Sequence, residues 1–112
     1  MPRARLAKAR LDAFFAEVSG PEPRKASQVA CAFTSHLLGL DGEMMPYTAR
    51  GMWRTLISDY LELEPSFDMA TAQSVELMAE WPRKRLEGFL EELHAIRHVV
   101  DHAVRRAPDV LT

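Results

Sequence analysis

The sequence predicts an all-α fold: one compact domain of five helices, 1–112, organised by a long C-terminal helix. Three observations predict it. Alanine (15) and leucine (13) far outnumber valine (7) and isoleucine (2). That balance favours helix over strand, because β-branched side chains lose rotamer freedom on a helix. Apolar residues recur at three- and four-residue spacing, and no segment alternates with period two. Prolines at 2, 21, 23, 46, 65, 82 and 108 divide the chain into stretches of helical length. Proline is tolerated in the first turn of a helix and breaks its interior.

The first predicted helix covers 3–18. Ala4, Ala7, Leu11, Phe14, Phe15 and Val18 share one face, and Ser19-Gly20-Pro21 ends it. The second covers 24–40, with Ala26, Ala30, Phe33, Leu37 and Leu40 as a narrow stripe and Val29 beside it. Asp41-Gly42 opens a loop through Met44, Met45 and Pro46. The third covers 48–63, where Met52, Trp53, Leu56, Ile57, Tyr60, Leu61 and Leu63 occupy so much of the circumference that a central position follows. The fourth covers 69–80 with Asp68 as N-cap and Val75, Met78 and Ala79 facing inward. Pro82 then starts the longest helix, 82–107. Its residues Leu86, Phe89, Leu93, Ile96, Val100, Ala103 and Ala107 repeat at alternating spacings of three and four, widened by Leu90 and Val104. A repeat of that kind is a knobs-into-holes seam, open to the same chain or to a second copy.

With 112 residues there is room for one small core, and a single cysteine makes no internal disulfide, as befits a reducing compartment. The Arg/Ala-rich stretch 1–18 has the look of a transit peptide, but Asp12 and Glu17 argue against that, and a cytoplasmic location is expected. No apolar run approaches the ~20 residues that span a bilayer, so no membrane partner is expected. Lys+Arg 14 against Asp+Glu 16 gives a net charge of -2, too acidic for a general nucleic-acid binder. The charge is uneven, with 1–25 and 82–112 net basic and 26–81 acidic. Basic spots at Arg3, Arg5, Lys8, Arg10 and at Arg83-Lys84-Arg85 keep nucleic-acid contact as an alternative.

No motif names a chemistry. The serines lack a nucleophile-elbow setting, the glycines are scattered, and Cys31 reads as a small buried residue of the second helix. His94, His98 and His102 form a row at four-residue spacing with Glu91 and Asp101 nearby. Such spacing suits a shared metal ion, and a metal-binding helical protein built on His94, His98 and Glu91 stays an alternative, but the row flanks the apolar stripe and drifts from it, so a solvated or interface edge is expected and no metal or cofactor. At an interface the row would make assembly pH-sensitive.

Large apolar groups look too plentiful for so short a chain. Leu11, Phe14, Phe15, Met44, Met45, Trp53, Phe67 and Trp81 suggest a surplus for protein contact. The expected function is non-enzymatic binding of a protein partner. Leu11, Phe14, Phe15 and Val18 are the expected docking face, and Phe89, Leu93, Ile96 and Val100 the expected self-association seam. In its Arg/Ala-rich first helix with Leu11, Phe14 and Phe15 and its long last helix, the chain resembles the small all-helical quorum-sensing anti-activators of bacteria. The resemblance implies a homodimer that binds the ligand-binding domain of a LuxR-type transcription factor and blocks its dimerisation and DNA binding.

Overall fold

The computed structural model describes residues 3–19, 25–63 and 69–106. Among them are five α-helices, α1 (Arg3–Val18), α2 (Ala26–His36), α3 (Tyr47–Leu61), α4 (Ala72–Glu76) and α5 (Arg83–Arg106), and no strand. Two 3-10 turns, Gly42–Met44 and Leu77–Glu80, complete the list. The chain is therefore all-α with a long last helix, as the periodicity predicts. The bounds of α1 and α5 fall within a residue of the proline-delimited spans.

Two segments depart from expectation, each through local hydrogen bonding. α2 stops at His36 rather than Leu40, and 37–39 form a turn in which the Leu40 amide donates to the Leu37 carbonyl at 3.1 Å. Asp41 then accepts from the amides of Glu43 (2.9 Å) and Met44 (3.1 Å), which winds the 3-10 turn. Further on, the expected N-cap Asp68 lies outside the described residues, and α4 is capped by Thr71. The Ser74 amide donates to Thr71 Oγ1 at 3.1 Å while the Thr71 amide donates to Ser74 Oγ at 3.2 Å, a reciprocal capping box. After one turn the helix tightens to 3-10. The angular period changes there from 3.6 to 3, which turns Ala79 outward and keeps Val75 and Met78 inside.

α5 lies between α1 and α3, and α2 packs across α1 and the 72–80 segment. Phe33 of α2 stands at the centre, its ring 6.2 Å from Phe14, 6.4 Å from Trp53 and 6.0 Å from Phe89. Phe89 in turn meets Tyr60 and Trp81 edge-on at 5.5 and 5.2 Å. Arg85 closes the end of α3. Its guanidinium donates to the Tyr60 carbonyl at 2.7 Å and lies over the Trp81 and Tyr60 rings at 4.8 and 5.5 Å. That contact satisfies a carbonyl the last helical turn leaves without a partner. The chain leaves α3 through Glu62 in the left-handed region (φ 55°).

Both expected apolar interaction surfaces are core. Leu11 and Phe14 are fully buried, and Phe15 and Val18 nearly so. Phe89, Leu93, Ile96 and Val100 are likewise fully buried, with α1 and α3 as the partners of α5. The physical reason is the same for both: α1 and α5 present their apolar faces to each other and to α2 and α3, so one chain closes its own seam. The supposed apolar surplus is absorbed as well. Met45 and Trp53 are buried, Met44 and Trp81 are half-buried against the core, and Phe67 lies outside the described residues. Arg50 draws the methionine loop onto α3 by donating to the Gly42 carbonyl at 3.1 Å. Among the described residues the exposed large apolar groups are Tyr47, Met69 and Leu77.

Candidate functional site: the clefts along the α1–α5 seam

The seam between α1 and α5 is apolar at its base and charged along its edge. Ala7, Leu11, Phe14 and Val18 fix one helix, and Leu86, Leu90, Leu93 and Ile96 the other. One turn from these stripes come oppositely charged residues. Lys8 Nζ lies 2.6 Å from Asp12 and 3.3 Å from Asp101. Arg97 Nε donates to Asp12 Oδ1 at 2.9 Å, and Arg105 Nε lies 3.0 Å from Asp101. The network ties α1 to α5 twice, through Lys8–Asp101 and Asp12–Arg97.

Its electrostatics follow from partial burial against pairing. Partial burial pushes the Asp12 carboxyl up, but hydrogen bonds from Lys8 and Arg97 outweigh this and hold it below the usual carboxylate range. Asp101 behaves alike, with desolvation opposed and overcome by Lys8 and Arg105. The Lys8 ammonium is held above its ordinary value, first by its hydrogen bond to Asp12 and then, against desolvation, by Asp101.

Two open clefts adjoin on this seam and share His94 and Arg97. The larger, about 450 Å³, is lined by Phe15, Ser19, Glu87, Leu90, Glu91, His94 and Arg97. The smaller, about 240 Å³, is lined by the charged network with His94 and His98. Phe15 floors the larger cleft. The His94 ring meets it edge-on at 5.3 Å, and the Arg97 guanidinium lies over it at 5.2 Å. Glu87 is paired with Arg83 at 3.0 Å.

Of the predicted site residues, the seam brings Phe15 and His94 together, keeps His98 alongside, and leaves Leu11 and Phe14 in the interior. Among the described residues no group of three or more His, Cys, Asp or Glu side chains is placed to hold a metal ion. The fourth histidine, His36, pairs with Glu17 at 3.0 Å and joins α2 to α1. Cys31, expected to be buried, is exposed. The α2 stripe through Val29, Ala30, Ala32 and Phe33 leaves position 31 on the outer side.

Four residues of the basic spots are held in contacts within the chain. Arg3 lies 3.8 Å from Glu43, Lys8 and Arg83 are in ion pairs, and Arg85 caps α3. Arg97 escaped the sequence reading, which placed Asp12, Asp101 and Ser19 in other roles. The available signal was opposite charges four apart beside each apolar stripe, Lys8/Asp12 on α1 and Asp101/Arg105 on α5.

The fold and the seam define a small helical domain with two adjoining clefts between its first and last helices among the described residues. Compared with known protein families, curated proteins and solved structures, the chain matches none. No helix among the described residues is long and apolar enough to cross a membrane.

Proposed function

We propose that the protein is a non-enzymatic regulator that binds and sequesters a protein partner, and that it does so through the larger α1–α5 cleft. The observation that supports this most is the cleft itself. It offers Phe15 and Leu90 at its floor and charged groups at its rim, on two helices cross-linked by ion pairs. Arg97 and Glu87 are engaged with Asp12 and Arg83, which orders part of the rim. A preorganised surface keeps the ordering cost of binding low.

The partner class suggested by the resemblance is the ligand-binding domain of a LuxR-type transcription factor. Capture of its dimerisation surface would stop DNA binding by mass action. The homodimer implied by the same resemblance cannot use the seam around Phe89, Leu93, Ile96 and Val100, which is closed within one chain.

The test is a titration of such a factor, bound to fluorescent operator DNA, with the purified protein. Release of the DNA by the wild type and not by Ser19→Trp, which fills the cleft from an exposed position, is the expected result. No release by the wild type overturns the partner class, and equal release by the variant overturns the cleft.

A further inference from the structure

We draw no further inference here: the strongest candidate, the pair of adjoining clefts on the α1–α5 seam where Phe15 and Leu90 lie beside the Lys8, Asp12, Arg97, Asp101 and Arg105 network, belongs to the site already described, and nothing in the structure shows what covers it.

Discussion

Two glycines in helix interiors provide a test in which the chemistry of the change is constant and only the surroundings differ. Gly51 in α3 is exposed, and a methyl group built on it meets nothing within 4 Å. Gly51→Ala should therefore gain the full helix propensity of alanine, about 0.5–1 kcal/mol. For a domain of this size that raises Tm by roughly 2–5 °C. Gly88 in α5 is different. A Cβ there would lie 2.8 Å from Tyr60 Oη, closer than side chains pack. The phenol cannot swing aside freely, because its ring lies 5.5 Å from Phe89 and 6.0 Å from Trp81, with the Arg85 guanidinium over it. Overpacking of this kind costs about 1–3 kcal/mol and offsets or exceeds the propensity gain. Gly88→Ala should be neutral to about 2 kcal/mol destabilising, measured by urea unfolding beside Gly51→Ala. Tyr60→Phe removes the offending oxygen, and the next atom, Cζ, is at an ordinary 3.8 Å. In that background Gly88→Ala should recover the gain seen at Gly51. If Gly88→Ala stabilises the wild type as much as Gly51→Ala does, the α3–α5 approach described above is wrong.

Phe14→Asp puts a charge in place of a fully buried ring and should unfold the chain, since loss of a buried Phe alone costs about 3–5 kcal/mol against a total of about 5–15. Ala16→Asp, on the exposed side of the last turn of α1, should cost only about 0.5–1.5 kcal/mol through lost helix propensity and the helix dipole, and a native circular dichroism melt for Phe14→Asp would refute the core assignment. Arg85→Met should cost about 1–3 kcal/mol in chemical denaturation, because it removes the charge-assisted bond to the Tyr60 carbonyl and the contact with Trp81. The lowered carboxyls of Asp12 and Asp101 stabilise the folded form above the ordinary carboxylate pKa, so that contribution is lost as pH falls through and below about 4. The raised Lys8 contributes below about pH 10 and loses its contribution above it. Asp12→Asn should flatten the acid limb of denaturation midpoint against pH, and an unchanged limb would remove the network from the account. Cys31 should react with a thiol reagent in the native protein at a rate near that of the unfolded chain; protection would contradict its exposure.

The parts of the fold that were legible are those set by long, uninterrupted periodicity. α1 and α5 each carry several turns of apolar residues at helical spacing with a proline or glycine outside the end, and both bounds follow. The 37–45 and 69–80 stretches were not legible, because single side chains decide them. Asp41 captures two amides and Thr71 caps a short helix, and neither event leaves a mark in the hydrophobic pattern. The cleft was half legible. Lys8 and Asp12, or Asp101 and Arg105, are visible as pairs four apart, but Asp12 and Arg97 are separated by 85 positions and meet only once α1 lies on α5.

Why α5 turned its stripe to its own chain rather than to a second copy is a matter of width. A two-stranded coiled coil needs a narrow seam, alternating three and four, and Phe89, Leu93, Ile96 and Val100 supply one. Leu90 adds a residue about 100° round the helix from Phe89. In the structure the two point to different neighbours: Phe89 meets Tyr60 and Trp81 on the α3 side, and Leu90 lines the cleft beside Phe15 of α1. An apolar arc that wide seats two helices at once, and α1 and α3 fill it. Leu90 thus serves both the packing of α5 within its own chain and the lining of the larger cleft. Leu90→Gln narrows the arc without disturbing Phe89. It should loosen α1 from α5 and weaken cleft binding together, whereas loss of stability with intact binding would show that the groove and the seam are independent.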